Sequence, residues 1–151
     1  MSGKKNSRNL KRALVNSFHT VAIDTNIFIY FFQKHPRFGP IVRELFRKFS
    51  LERTTVVTSA ITLAELLATN KAPVLRSHLQ EEFLAISFLV IVPVDNNIAI
   101  TTADIRRKYQ FSLADSIQLA TALQARADVF VTSDRRLKSF KQLPIQLLRP
   151  Q

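Results

Sequence analysis

Five short apolar runs alternate with segments of helical periodicity, and this alternation constrains the fold more than any other feature. The runs are "TVAID", "TTVVTS", "FLVIVPV", "DVFVTS" and "IQLL". Each is rich in β-branched or other apolar residues and bounded by polar or turn-forming ones, the pattern of a buried strand. "FLVIVPV" is apolar throughout and predicts a strand covered on both faces. Between them lie "TNIFIYFFQ", "IVRELFRKFSLER", "AITLAELLATN", "PVLRSHLQEEFLAIS", "DNNIAITTADIRRKYQ", "SLADSIQLATALQARA" and the short basic "DRRLKSF". All read as helices. In "IVRELFRKFSLER", Ile41, Leu45, Phe46 and Phe49 share one face, and Arg43, Arg47 and Lys48 point outward. Strands alternating with helices predict an α/β fold, a three-layer α/β/α sandwich on a mostly parallel central sheet with right-handed crossovers. Ligands of such folds bind beyond the carboxyl ends of the strands, near a switch in strand order.

Composition narrows the class. A chain of 151 residues suits one domain with a sizeable core. The absence of cysteine excludes a disulfide framework, a thiolate zinc site and a cysteine nucleophile, and it fits a reducing cytoplasm. No apolar run is long enough to span a bilayer. The formal charge of +11 predicts a polyanionic partner, nucleic acid first. Residues 1–20 hold Lys4, Lys5, Arg8, Lys11 and Arg12 and no acid, so residues 1–19 are expected to be a flexible basic extension of a single domain over 20–151. An arm contacting phosphates is the alternative. With only Gly3 and Gly39 present, turns are expected to rely on Pro, Asn, Asp and Ser.

Acids are few, and four stand at telling positions. Asp24 ends the first strand and Asp134 follows the fourth, so either could cap the helix after it. Asp115 stands three residues after Ser112 in "SLADS", a capping-box spacing near the positive end of a helix. Glu65 lies in "AITLAELLA", where a solvated glutamate would have more polar neighbours, so a cationic partner is expected. A parallel sheet gathers strand ends on one rim. Four carboxylates there repel one another, and a divalent cation such as Mg²⁺ or Mn²⁺ relieves the repulsion through oxygen ligands. The remaining acids read as caps or surface pairs: Asp95 as a helix cap, Asp104 paired with Lys108. His19, His35 and His78 have no metal-ligand spacing, and no P-loop, G-x-S-x-G or G-x-G-x-x-G occurs.

The segments "AIDTNIFIYF", "TSAITLAELLA", "SLADSIQLATAL" and "VFVTSDRRL" resemble, in order, the four signature blocks of PIN-domain nucleases. The likeness is greatest to VapC-type toxins of toxin–antitoxin pairs, and it spans about Val21 to Leu137. It implies an α/β/α ribonuclease with an acidic site for Mg²⁺ or Mn²⁺. On the matching positions Asp24, Glu65, Asp115 and Asp134 would be catalytic and metal-holding. Thr25 or Asn26 would be the polar residue after the first acid, and Thr132 and Ser133 the hydroxyls before the last. Arg106, Arg107, Lys108, Arg135 and Arg136 are candidates for RNA contact, or simply a solvated basic surface. The resemblance also implies a homodimer blocked by an antitoxin protein, for which "IFIYFFQKHPRF" and the helix over 41–49 offer apolar surface, with core packing the alternative for most of those rings. It departs from the family at residues 1–19, which precede the first strand. A PIN nuclease of RNA processing or decay and a non-catalytic RNA-binding module are the alternatives, and the complete set of acids weighs against the second. A phosphotransfer domain would want Asp-x-Asp where this chain has "DTN".

Overall fold

A computed structural model describes residues 18–150. The basic extension expected over 1–19 lies outside the described residues except for Phe18 and His19. In chain order the elements are β1 (Thr20–Ile23), α1 (Thr25–Phe32), α2 (Gly39–Glu52), β2 (Thr55–Ser59), α3 (Ala60–Ala68), α4 (Pro73–Leu84), β3 (Leu89–Val92), α5 (Asn96–Tyr109), α6 (Leu113–Gln124), β4 (Val129–Thr132), a 3₁₀ turn (Arg135–Ser139) and β5 (Ile145–Leu147). The strands form one five-stranded sheet in the order β3-β2-β1-β4-β5. Every adjacent pair is parallel.

Strand alternation divides the core into two layers. Val21, Ile23, Val56, Val129 and Val131 face α1 to α4, where Ile27, Phe28, Leu45, Phe46, Leu66 and Phe83 pack. Ala22, Val57 and Phe130 face the other way, onto Ile98 and Ile105 of α5 and Leu119 and Ala122 of α6. Phe28 is fully buried and meets Phe46 at 5.6 Å and Phe83 at 5.2 Å between ring centroids. Of the rings of the Phe-rich stretch, Phe28 is core, and Tyr30, Phe31, Phe32 and Phe38 pack half-buried against it. Among the described residues no helix is long and apolar enough to cross a membrane.

Several expectations are corrected. The apolar β3 is an edge strand, and its Val90 is 48% exposed, so it is not covered on both faces. Apolar composition reports what a strand tolerates, not its place in the sheet. On α2 the fully buried aliphatic beside Leu45 is Val42, with Ile41 only half-buried. Asp104 pairs with Arg107 at 3.4 Å instead of Lys108. The left-handed backbone positions fall on Lys34, Arg53, Gln110 and Arg126, not on the usual turn formers. Arg53 and Gln110 end α2 and α5 in the place glycine commonly takes.

Candidate active site

The switch in strand order lies at β1, which has β2 on one side and β4 on the other. Asp24 leaves β1 at that point with extended backbone, φ −70° and ψ 152°. Its Oδ1 accepts a hydrogen bond from Thr25 N at 2.8 Å. Its Oδ2 accepts one from Thr132 Oγ1 at 2.7 Å. Asp24 is therefore the cap of α1 and a rim carboxylate at once. Asp24 is 5% exposed. Burial raises its pKa to about 6, and the charges of Asp115 and Glu65 push the same way, against the hydrogen bonds from Thr132 and Thr25.

Glu65 does not stand in the apolar surroundings expected of it. α3 buries only Thr62 and Leu66, and its alanines leave the Glu65 side of the helix exposed. The carboxylate turns back to the rim, where Thr25 Oγ1 donates to Glu65 Oε1 at 2.8 Å. A hydroxyl, rather than a cation, meets it there. Asn26 is exposed in the first turn of α1.

Asp115 and Asp134 are held differently. Ser112 caps α6 by accepting from Asp115 N at 3.1 Å, which fixes Asp115 in the first turn. Asp134 caps the 3₁₀ turn, accepting from Arg136 N at 2.9 Å. Arg136 Nε also donates to both Asp134 carboxylate oxygens at 3.1 Å. These bonds hold the Asp134 carboxyl below the usual range. The same guanidinium lies 3.6 Å from Asp115 Oδ2. Thr132 links the two sides, since its Oγ1 also accepts from Asp134 N at 3.0 Å. Ser133, the second expected hydroxyl, instead meets Tyr30 Oη at 3.1 Å.

The other basic candidates, Arg106, Arg107, Lys108 and Arg135, are exposed. Gln124 at the end of α6 donates to Asp95, the cap of α5, at 3.0 Å. The two helices therefore form an antiparallel hairpin, and Arg106, Arg107 and Lys108 in the last turn of α5 come to the Asp115 end of it. Arg135 opens the 3₁₀ turn beside Asp134.

A buried polar network beneath the rim was not anticipated. Gln118 of α6 is 2% exposed and reaches Thr25, Thr62 and the backbone of Ser59. Thr58 adjoins Thr62 at 2.7 Å. Two sequence signals existed: a glutamine inside "SIQLATA", and Thr62 as the lone hydroxyl of "AITLAELLA".

The donor set was tested against a hard divalent cation. Among the described residues no three carboxylate or imidazole groups stand ready to hold an ion as the side chains are placed. The chemistry nevertheless fits. The donors are all oxygen, and three of the carboxylates lie close enough for two to raise the pKa of the third. Arg136 supplies positive charge to Asp115 and Asp134.

A parallel open sheet with four acids near its switch point defines an α/β protein with an acidic candidate site. Residues 21–143 match the PIN domain, and the chain belongs to that family. No curated protein matches it. Among solved structures it is similar to a chain of VapBC2 from Rickettsia felis bound to a DNA fragment from their promoter, with 22% identity over 86% of this chain and 99% of that one and a TM-score of 0.67. It is also similar to a chain of DNA-bound VapBC from Salmonella typhimurium, with 25% identity, coverage of 83% and 96%, and a TM-score of 0.66. A third similarity is to a toxin–antitoxin complex from Klebsiella pneumoniae, with 25% identity, coverage of 87% and 98%, and a TM-score of 0.57.

Proposed function

We propose that this PIN-domain protein is an Mg²⁺- or Mn²⁺-dependent ribonuclease acting in the cytoplasm as the toxin of a toxin–antitoxin pair, with an antitoxin protein and a second copy of itself as partners. PIN membership supports nuclease activity. The similarity to VapBC and toxin–antitoxin complexes supports the toxin assignment. The observation that carries the reading is the gathering of Asp24, Glu65, Asp115 and Asp134 at the switch point, linked through Thr25, Thr132 and Arg136.

Asp24, Glu65, Asp115 and Asp134 would hold the ion. When bound, it supplies Lewis-acid stabilisation of the charge that builds on the scissile phosphate and makes an attacking water more acidic. Thr25 and Thr132 orient Glu65 and Asp24 through the hydrogen bonds they donate. A rim carboxylate freed of its proton can take one from the attacking water. Arg106, Arg107, Lys108 and Arg135 bind the RNA backbone, so affinity falls steeply with salt as counterions are released. A flat salt response contradicts that role.

The test is expression in a bacterial host, alone and together with any small gene found to flank this one. Growth arrest with defined new RNA ends, relieved when the neighbour is co-expressed and co-purifies, is the expected result. RNA cleavage without growth arrest or a co-purifying protein would favour a PIN nuclease of RNA processing. RNA binding with no cleavage would leave a binding module.

A further inference from the structure

The buried hydroxyls beneath the rim form a network whose proton directions follow from what its ends can do. Thr25 Oγ1 contacts Glu65 Oε1 at 2.8 Å, and Thr58 Oγ1 contacts the Ile23 carbonyl oxygen at 2.9 Å. A carboxylate and a carbonyl only accept, so the single protons of Thr25 and Thr58 are both committed. Thr62 Oγ1 lies 2.7 Å from Thr58 Oγ1 and 3.0 Å from Thr25 Oγ1. Its proton goes to the nearer neighbour, Thr58. The Thr25–Thr62 contact then has no proton, and two oxygens would face each other unsupported.

Gln118 resolves this. Its Nε2 donates to Thr25 Oγ1 at 2.9 Å and to Thr62 Oγ1 at 2.6 Å. Its Oε1 accepts from Ser59 N at 3.3 Å. Reversing the amide would set an oxygen against two hydroxyls whose protons are committed and an amino group against a backbone N–H, so only this orientation satisfies every partner. Gln118, Thr25 and Thr62 are 2%, 4% and 0% exposed, where water cannot replace a missing donor.

We propose that Gln118 is a positioning residue of the acidic site: by donating to both Thr25 and Thr62 it supplies the proton their contact lacks, so that the Thr25 proton stays on Glu65 and holds that exposed carboxylate at the rim with Asp24. The inference rests on the metal-dependent reading above. Gln118 touches neither ion nor RNA. It acts through one hydroxyl, from the helix that also carries Asp115, and so ties the placement of Glu65 on α3 to α6.

The test uses the full chain, with Mn²⁺ binding followed by titration calorimetry, RNA cleavage under single-turnover conditions and thermal melting as separate readouts. Gln118→Met keeps the length and removes both donors. Thr25→Val keeps the shape and removes the hydroxyl. Each is expected to weaken Mn²⁺ binding by about tenfold, the usual scale for losing a group that orients a ligand. The double variant should be no weaker than the poorer single, because both cut one chain of bonds. Thr25→Ser, which restores the hydroxyl, should bind and cut like the unaltered protein. If Gln118→Met does not fold, Gln118→Leu carries the same test, since it also removes both donors and adds no charge or new donor. Wild-type Mn²⁺ affinity and cleavage in a folded Gln118 variant, whatever its melting temperature, would overturn the proposal by making Gln118 a core residue only. Effects that multiply in the double variant would also overturn it. An unaltered protein that takes up no Mn²⁺ overturns the metal-dependent reading itself, and this inference with it.

Discussion

The two halves of the acidic rim are held by opposite means. Asp24 and Glu65 are oriented by neutral hydroxyls, Thr132 and Thr25, rooted in a buried network. Asp115 and Asp134 are gathered by the guanidinium of Arg136, which is 73% exposed. Hydroxyls fix direction but carry no charge, so burial dominates at Asp24 and raises its pKa to about 6. A guanidinium neutralises charge but can swing into solvent, so that half is set for exchange of one cation for another. One half supplies fixed geometry and the other supplies a replaceable counter-charge.

The largest expected effect tests the buried half. Asp24→Asn should reduce cleavage by at least about a thousandfold, the scale for losing a group that stabilises transition-state charge. The metal-free protein should gain stability in the same variant. In the folded protein the Asp24 pKa is about 6, against the ordinary value of 3.8, so the native state holds the extra proton between those values. Stability from this group is therefore present at low pH and lost as pH rises through about 6. Denaturation of the two proteins should differ little near pH 4 and by on the order of 3 kcal/mol in favour of Asn above pH 7. A difference that is flat with pH would mean that burial does not perturb Asp24.

A smaller effect tests the exposed half. Arg136→Gln removes the charge that Mn²⁺ must displace, so metal affinity should rise by about threefold to tenfold, equivalent to about 1 kcal/mol. The melting temperature should hardly change, because exposed pairs stabilise little. Unchanged affinity would show that Arg136 does not compete for the acids. The smallest effect is a control that should disturb neither half. Arg53 ends α2 at φ 54°, immediately before β2, at the end of the sheet away from the rim. Arg53→Gly relieves a left-handed conformation and should stabilise the fold by a few tenths to about 1 kcal/mol, with cleavage unchanged.

The sequence exposed one acid of each half of the rim most plainly. Strand-like runs and the acids at their ends follow from local pattern, so the sheet, Asp24 and Asp134 were legible. Strand order was not, because a parallel edge strand such as β3 can be as apolar as a central one. Among the partners of the acids, the resemblance singled out Thr25 and Thr132, but Gln118 beneath them and the pairing of Arg136 were not legible. Gln118 sits among polar and apolar residues in "LADSIQLATALQ", and nothing in that string says which face of α6 meets the sheet. Glu65 misled because the alanines around it tolerate solvent as readily as a core. Arg136 looked like one of several basic surface residues, and only the 3₁₀ turn brings it back onto Asp134 and across to Asp115.

If a divalent ion held by Asp24 and its neighbours drives RNA cleavage, the reaction depends on both the ion and that carboxylate. The most direct measurement is single-turnover cleavage of RNA with Mn²⁺, with chelator and with Asp24→Asn, alongside RNA affinity for each. Cleavage that needs Mn²⁺, stops with chelator and vanishes in Asp24→Asn, while RNA affinity stays within about twofold, is the expected result. Chelator-resistant cleavage, or an Asp24→Asn protein that cuts at the unaltered rate, would contradict it.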